Sequence, residues 1–347
     1  MKLTLLSTAL VALLLATSCA GSGSDSGSGS TSTKKQAPER QGWNEGSLYG
    51  DVESIAITDY TLTEKFGELV KDEIYEKEVC KFNPKGDVTE DARYNSNGSL
   101  SSKVIYKYDS QGNCIEAACY DSDGSLSWKN IGKYDTQGNE IEEARYNSDG
   151  SLDHKYLSKY DSQGNCIEEA RYNSDGSLSW KEIRKYDSQG NQIEQAYYNS
   201  DGSLRSKSLY KYDSQGNQIE WAEYDSDDSL SSKFLYKYDS QGNCIEGAYY
   251  DRYGLLVGIN LNKYDSQGNM IEEASYNSDG SLSRKYIGKY DSQGNMIEVA
   301  GYNSDGSLSW KNIGKYDSQG NCIEEVEYEG EIMKPTRMKE RTIVYRK

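Results

Sequence analysis

The chain repeats a 26-residue unit, and this repeat constrains the fold more than any other feature of the sequence. The unit is clearest over residues 160 to 185, which read YDSQGNCIEEARYNSDGSLSWKEIRK. Its leading Tyr-Asp pair begins at Tyr108, Tyr134, Tyr160, Tyr186, Tyr212, Tyr238, Tyr264, Tyr290 and Tyr316. A strict period of this length indicates an array in which each unit packs on its neighbours. The length of 347 residues therefore reflects the number of repeats rather than the number of separate domains.

Each unit contains two turn motifs, which alternate at 12 and 14 residues. The first is Tyr-Asp-Ser-Gln-Gly-Asn, as at residues 108 to 113, and the second is Tyr-Asn-Ser-Asp-Gly-Ser-Leu, as at residues 146 to 152. The spacing leaves room for strands of about seven or eight residues. We expect type I turns with a G1 bulge, in which the first Asp or Asn accepts a backbone hydrogen bond and the glycine is left-handed. The sequence predicts an all-β fold, an elongated single-layer antiparallel meander of β-hairpins.

The turn type also predicts a strand register. Tyr108 should face Cys114, and counting onward from the next turn places Ala118 opposite Trp128. One face is then expected to carry an Ile/Leu ladder with lysines and acids, formed by Ile115, Ile131, Ile141, Leu157, Lys129, Lys133 and Glu143. The other face is expected to carry two tyrosine rails, which contain Tyr108 and Tyr120, with Glu116, Ala118 and Trp128 between them.

The N-terminal segment has the pattern of an export signal. Residues 1 to 18 combine Lys2, an apolar run and small residues, and Cys19 follows them. The apolar run is too short for a permanent membrane span. This arrangement resembles a bacterial lipoprotein signal, which implies cleavage before Cys19 and lipidation of that residue. The alternative is an ordinary secretory signal followed by a chance cysteine.

The rest of the chain divides by sequence into four segments. Residues 19 to 42 are the cysteine and a Gly/Ser tether with a mean reach of about 25 Å. Residues 43 to 81 are expected to form N-terminal capping strands, residues 82 to 328 the tandem repeats, and residues 329 to 347 a C-terminal capping strand. Caps that differ from the repeats are expected because each end of an array exposes an unpaired edge.

Composition argues against several functions. The formal charge of -17 disfavours nucleic acid as a partner. Only one histidine is present, His154, and we predict neither catalysis nor a cofactor. Four cysteines share one repeat position, about 19 Å apart at the closest, which is too far for a disulfide or a zinc site. Turn chemistry explains the Asp-x-Asp-Gly motifs better than calcium binding does. We therefore predict no metal site.

Aromatic residues are the candidate ligand-binding positions. Trp128, Trp180 and Trp310 share one repeat position, and Tyr108 and Tyr120 belong to the two rails. Exposed aromatic rings at a regular spacing stack on sugar rings in many surface modules. The alternative is that the three tryptophans pack on neighbours of the Ala118 type and stiffen the sheet.

The motif Tyr-x-Tyr-Asp-x-x-Gly-Asn, as over residues 106 to 113, resembles the YD repeat of Rhs-type proteins. With the lipoprotein signal and the Gly-Asp-Val-Glu-Ser-Ile sequence at residues 50 to 55, the chain is similar to small YD-repeat lipoproteins of Bacteroidota. Large Rhs proteins enclose a toxin, but their Asp-Pro-x-Gly cleavage signature is missing here, so toxin delivery is not implied. Choline-binding and clostridial-toxin repeats share a similar hairpin but lack the 26-residue spacing.

These observations favour a non-enzymatic, lipid-anchored protein of the bacterial cell envelope, with the outer membrane as the expected location. It is expected to bind a surface polysaccharide or another surface protein through its long regular array. Two alternatives stay open. One is a structural spacer with no ligand of its own, and the other is a glycan-binding array of the choline-binding kind.

Overall fold

The computed structural model describes residues 48–66, 68–330 and 333–347, and the regular structure within these ranges is entirely β-strand. The predicted antiparallel meander of β-hairpins is confirmed. Cys19, the export signal, the tether and the first five residues of the predicted N-terminal cap lie outside the described residues. No helix in the described ranges is long and apolar enough to cross a membrane.

The strands follow each other at the spacing of the turn motifs. In chain order they are β1 Val52–Lys65, β2 Glu68–Phe82, β3 Val88–Tyr94, β4 Leu100–Tyr108, β5 Cys114–Asp121, β6 Leu126–Tyr134, β7 Glu140–Asn147, β8 Leu152–Tyr160, β9 Cys166–Asn173, β10 Leu178–Tyr186, β11 Gln192–Asn199, β12 Leu204–Tyr212, β13 Gln218–Asp225, β14 Leu230–Tyr238, β15 Cys244–Tyr250, β16 Leu256–Tyr264, β17 Met270–Asn277, β18 Leu282–Tyr290, β19 Met296–Tyr302, β20 Leu308–Tyr316, β21 Cys322–Glu329 and β22 Lys334–Tyr345.

The chain forms two compact units. The smaller unit comprises residues 182–286 and 303–306, and within it β11 to β17 pair in chain order. The larger unit contains the described residues of 48–181, 287–302 and 307–347. Its first strand, β1, pairs antiparallel with both β2 and β22. Leu48, Val52, Ile55 and Phe82 form a buried apolar cluster in this unit.

The first turn motif has the predicted geometry. Gly112 has a φ of 98°, its N–H donates to the Asp109 carbonyl at 3.2 Å, and the Asp109 N–H donates to the Asn113 carbonyl at 3.0 Å. Asp109 Oδ1 also accepts the N–H groups of Gln111 and Asn113 at 2.8 and 3.0 Å. These bonds satisfy backbone donors that the turn would otherwise leave exposed, so the Asp and the Gly are both explained by the turn.

The second turn motif differs from the prediction in one bond. Gly150 is again left-handed, at a φ of 82°, and its N–H donates to the Asn147 carbonyl. The side chain that accepts a backbone N–H is Asp149, two residues after the first position, at 2.9 Å from the Ser151 nitrogen. The first residue, Asn147, instead donates its amide to the Ser151 hydroxyl. The Asp of the Asn-Ser-Asp-Gly sequence is therefore the turn-stabilising side chain.

The predicted register is correct next to each turn and wrong beyond it. Tyr108 faces Cys114 as expected, but the next pair is Lys107 with Glu116, which leaves Ile115 as an extra residue. A second bulge leaves Ser127 unpaired, so Cys119, not Ala118, faces Trp128. Each bulge adds one residue to one strand, and a shift of one residue moves every following side chain to the other face.

The bulges rearrange the two predicted faces. One face, here called the constant face, carries Lys103, Ile105, Lys107, Glu116, Ala118 and Tyr120 and their equivalents in the other repeats. The expected ladder keeps Ile131 and Leu157 but loses Ile115 and Ile141, which are bulge residues with 38% and 39% exposure. Glu143, which was expected on the lysine face, lies on the opposite face. The two tyrosine rails also lie on opposite faces.

The constant face is held together by repeated contacts. The lysine and glutamate of each repeat form an ion pair, such as Lys107 with Glu116 at 2.8 Å and Lys133 with Glu142 at 2.8 Å. The alanine in the position of Ala118 is only 1 to 6% exposed from Ala92 to Ala300. Ala118 lies between Ile105 and Lys129 on the neighbouring strands, and such long side chains cover a small residue with their apolar stems.

The tyrosine rail of the Tyr-Asp motif is explained by the bulges. The Tyr108 hydroxyl donates to the Val88 carbonyl at 2.7 Å, a carbonyl at the bulge one repeat earlier. The same bond to a carbonyl 20 residues earlier is made by Tyr134, Tyr160, Tyr212, Tyr238, Tyr264 and Tyr316. A bulge interrupts the backbone ladder, and the tyrosine supplies the missing donor.

Candidate binding face

All strongly variable repeat positions lie on one face of the strands. Ala117 pairs with Asn130 and Cys119 pairs with Trp128, so these four positions are direct cross-strand neighbours. Gly132 is a fifth variable position. It lies two residues after Asn130 on β6 and therefore on the same face. We call the surface formed by these five positions and their equivalents the variable face. Elsewhere in the array the position of Ala117 holds Asp91, Glu143, Glu169, Gln195, Trp221, Gly247, Glu273, Val299 and Glu325.

Large and small side chains alternate across pairs on this face. A Cβ at Gly301 would lie 2.6 Å from Trp310 Cε2, so the tryptophan ring occupies the space that a side chain would need. Pairs of one bulky and one small residue recur at these positions, as in Cys119 with Trp128, Tyr197 with Ser206, Tyr249 with Gly258 and Gly301 with Trp310. At these pairs the side-chain size on one strand is matched to the size on the next.

The three predicted tryptophans lie on the variable face, each in its own surroundings. The Arg145 guanidinium lies 4.2 Å from the centre of the Trp128 ring, a cation–π contact. Trp180 is beside Tyr156, with ring centres 6.0 Å apart, and Trp310 covers Gly301. Their expected packing on alanines of the Ala118 type is wrong, because the bulges place those alanines on the constant face.

The two predicted tyrosines are not brought together with the tryptophans as a group. Tyr120 lies on the constant face, where it pairs with Lys103. Tyr108 is on the same side as the tryptophans, but its hydroxyl is bonded to the Val88 carbonyl. Both positions are filled by tyrosine in repeat after repeat, and the structure gives both a role in the sheet.

A cluster of aromatic rings that the sequence analysis missed lies in the smaller unit. Phe234 stacks on Trp221 with ring centres 4.8 Å apart and 12° between planes, and on Tyr249 at 4.7 Å and 23°. Tyr236 is a further neighbour at 6.5 Å. These four residues come from three adjacent strands and occupy four different repeat positions. Only the bulged register shows that the positions of Ala117, Asn130 and Cys119 adjoin, so no spacing in the sequence indicates the cluster.

The variable face also buries polar side chains. Glu182 is 3% exposed and Gln195 is 8% exposed. The Gln195 amide donates to the Glu182 carboxylate at 2.7 Å, and Arg184 donates to the same carboxylate. Tyr210 donates its hydroxyl to Gln195 Oε1 at 2.8 Å. This network supplies the buried acid with a cation and an amide, which a desolvated carboxylate needs.

Other buried polar atoms on this face lack such partners. Among the described residues, the buried side-chain atoms of this face without a hydrogen bond are Asp91 Oδ1, Asn130 Oδ1, Trp221 Nε1, Asn262 Oδ1, Glu273 Oε2 and Asn312 Oδ1. Glu273 is 4% exposed, and burial raises the pKa of its carboxyl. Buried polar groups in proteins are usually hydrogen-bonded to other protein groups or to ordered water.

Comparison with known proteins gives no family. No family model and no curated protein matches the chain. A crystal structure of TcdB2-TccC3-TEV is 11% identical with a TM-score of 0.26, over 76% of this chain and 19% of that one, so this chain spans about a fifth of its length. A porin-like protein from Bacteroides uniformis is 9% identical with a TM-score of 0.32, over 84% and 98%. Likenesses at these TM-scores do not establish a shared fold.

Proposed function

We propose that the protein is a non-enzymatic binding protein of the bacterial cell envelope, anchored by lipid at Cys19, whose variable face recognises a surface polysaccharide or another surface protein. The observation that carries this proposal is the segregation of variable positions onto one face. The contacts that build the sheet, namely the turns, ion pairs, alanines and tyrosine bonds, belong to positions that stay the same. A sheet needs no change at the other positions in order to fold, whereas a recognition surface needs a different set of groups at each place.

The side chains of the variable face favour a polysaccharide among these ligands. The rings of Trp221, Phe234 and Tyr249 offer apolar area with a polar edge, the combination that stacks on sugar rings. A repeated array adds avidity when the ligand is itself a repeating chain.

The anchor and the tether support a position at the cell surface. Acyl chains on Cys19 would contribute about 0.8 kcal/mol per buried CH2 to membrane binding. The Gly/Ser tether would then hold the array roughly 25 Å from the lipid on average. Incorporation of labelled palmitate into the full chain and its loss in Cys19→Ala test this part of the proposal.

The second candidate is a spacer that has no ligand. It is favoured by the constant face, where the same lysine–glutamate pair recurs from Lys81–Glu90 to Lys315–Glu324 at 2.6 to 3.0 Å. A spacer needs these contacts and no others. It gives no reason for the stacked rings of the smaller unit.

Binding by the full chain carrying Cys19→Ala separates the two candidates. The protein is tested against purified polysaccharides and proteins from bacterial and host surfaces. We expect binding that weakens at least about tenfold when Trp221, Phe234 and Tyr249 are changed to alanine, since stacked rings at an interface are worth more than about 1 kcal/mol each. The matched control replaces three constant-face lysines of the same unit, Lys211, Lys237 and Lys263, and should bind as wild type.

Two results would count against the proposal. If the wild-type chain binds none of these surfaces, the spacer is the better account. If the constant-face control loses as much binding as the aromatic variant while both stay folded by circular dichroism, recognition does not belong to the variable face.

A further inference from the structure

Three potential metal ligands meet on the variable face where β2 and β3 pair. Cys80 is the direct cross-strand partner of Asp91, and Glu78 lies two residues before Cys80 on the same side of β2. The Cys80 sulfur and one carboxylate oxygen from each acid all lie within 4.8 Å of one another. All three side chains are half-buried.

The surroundings make this grouping of acids costly. Ile55 and Ile57 of β1 flank Cys80 and Glu78, and Val104 of β4 pairs with Asp91. Cys80 also packs against the buried apolar cluster of the larger unit. In such a place, two carboxylates repel each other and lose hydration at the same time. Burial raises the pKa of Glu78, and the Asp91 carboxylate adds to the effect.

The charged groups around the trio offset its negative charge only in part. Arg93, the cross-strand partner of Glu78, lowers the pKa of that carboxyl, but within the described residues it makes no ion pair with either acid. Glu76 adds a further negative charge from β2. Asp91 Oδ1 is buried and has no hydrogen-bond partner. Burial and the two acids raise the pKa of Cys80 to about 12, and its neutral thiol donates to Glu78 Oε1 at 3.8 Å.

Other repeats show how the array balances an acid at these positions. Four repeats later, the positions of Glu78, Cys80 and Asp91 are filled by Glu182, Arg184 and Gln195. There the guanidinium and the amide both donate to the Glu182 carboxylate. In two further repeats an asparagine amide donates to the acid, as in Asn130 to Glu143 and Asn312 to Glu325. In the trio the Glu78 carboxylate receives only the weak Cys80 thiol donor, at 3.8 Å, and a second acid, Asp91, stands in the position of Gln195.

We propose that Glu78, Cys80 and Asp91 form a binding site for a divalent transition-metal cation of the zinc class. The cation would take one thiolate and two carboxylate ligands, and water would complete four-fold coordination. Binding releases the thiol proton, together with any proton held by the carboxyl pair, to solvent. Thiolate ligation favours zinc-class ions over calcium and magnesium, which take oxygen ligands. The positive charge of the cation would offset the two carboxylates, as the Arg184 guanidinium does beside Glu182.

We predicted no metal site from the spacing of the cysteines and from the turn acids, and this trio belongs to neither group. Glu78, Cys80 and Asp91 meet across a hairpin, and Asp91 faces Cys80 only in the bulged register. The inference does not depend on what the array binds elsewhere, so it can hold or fail independently of the proposed function.

Cobalt titration of the metal-free full chain carrying Cys19→Ala tests the site, with zinc as competitor. We expect one equivalent of Co²⁺ to bind, with a thiolate-to-cobalt charge-transfer band in the near ultraviolet that zinc abolishes. Cys80→Ser should remove the band and weaken binding at least about a hundredfold, because it removes a direct ligand. The matched control is Cys119→Ser, which removes another half-buried thiol of the same face and should leave the band unchanged.

A second variant distinguishes loss of metal binding from loss of folding. Asp91→Gln places an amide where Gln195 stands in the Glu182 network, so it should melt no lower than wild type in the absence of metal. It should also lose the melting-temperature increase that zinc gives to wild type. The proposal is overturned if wild type binds no Co²⁺ saturably, or if Cys80→Ser and Asp91→Gln bind it as tightly as wild type.

Discussion

The rail of hydroxyl bonds at the bulges makes a quantitative prediction about stability. Tyr212 donates its hydroxyl to the Gln192 carbonyl at 2.9 Å, next to the point where the β11–β12 pairing stops at Glu194 and Leu209. Changing Tyr212 to Phe keeps the ring and removes only this bond. A net loss of about 1 kcal/mol is expected for a hydrogen bond of this kind. The triple variant with Tyr238→Phe and Tyr264→Phe should lose about 3 kcal/mol, because the sites are far enough apart to add.

Urea unfolding of wild type and variants measures these losses. The matched control changes Tyr224, Tyr250 and Tyr276 to Phe, because these three rings belong to the constant-face rail and their hydroxyls make no hydrogen bond in the described structure. The control should stay within about 0.5 kcal/mol of wild type at each site. Equal losses in the two triple variants would refute the claim that the hydroxyl, rather than the ring, secures the bulge.

The same bond predicts a pH dependence. Burial raises the pKa of Tyr212 from 10.0 to about 12. A pKa that is higher in the folded state than in the unfolded chain means that the neutral hydroxyl stabilises the fold. This contribution is complete below pH 10 and is lost as the pH rises from 10 to 12. Alkaline titration of stability should therefore be steeper in wild type than in the triple Phe variant, and parallel curves would contradict the assignment.

Three further outcomes follow from the turns and the variable face. Gly301→Tyr should collide with the Trp310 ring and destabilise the fold by about 2 kcal/mol. Adding Trp310→Ser should restore the lost stability, so urea unfolding should show that the two changes are not additive. Gly176→Ala, at a φ of 82° with open space around it, should cost roughly 1 to 2 kcal/mol, whereas Asp228→Gly, at a φ of 63°, should raise the melting temperature. The Asn113 side chain holds the pKa of Asp109 below its usual 3.8, so this carboxylate stabilises the turn above pH 3.8 and loses its effect as the pH falls; Asp109→Asn should flatten the acid-unfolding curve.

The sequence predicted those parts of the fold that depend on local chemistry. The left-handed glycine at Gly112 and the side-chain acceptor at Asp109 are both properties of a few consecutive residues, and both were found as expected. The pairs beside the turns, such as Tyr108 with Cys114, follow directly from the turn type and were also correct. Strand class, strand length and the repeat needed no knowledge of distant contacts.

The faces could not be predicted, because they depend on bulges that leave no local mark. Nothing at Ile115 or Ser127 distinguishes a bulge residue from an ordinary strand residue, yet each one reverses the face of the side chains beyond it. This reversal places Trp128 opposite Cys119 instead of opposite Ala118. The aromatic cluster and the Glu78–Cys80–Asp91 trio are both consequences of the same register, so both were missed.

The register is the basis of the binding face, and a cross-link tests it most directly. The structure pairs native Cys119 with Trp128, and paired residues on adjacent strands are close enough for a disulfide. Mild oxidation of the full chain carrying Trp128→Cys should therefore give a bond between residues 119 and 128, found by peptide mapping. Lys129→Cys, whose side chain lies on the opposite face beside Ala118, should give none. A bond from position 129 to Cys119 with none from position 128 would contradict the single variable face.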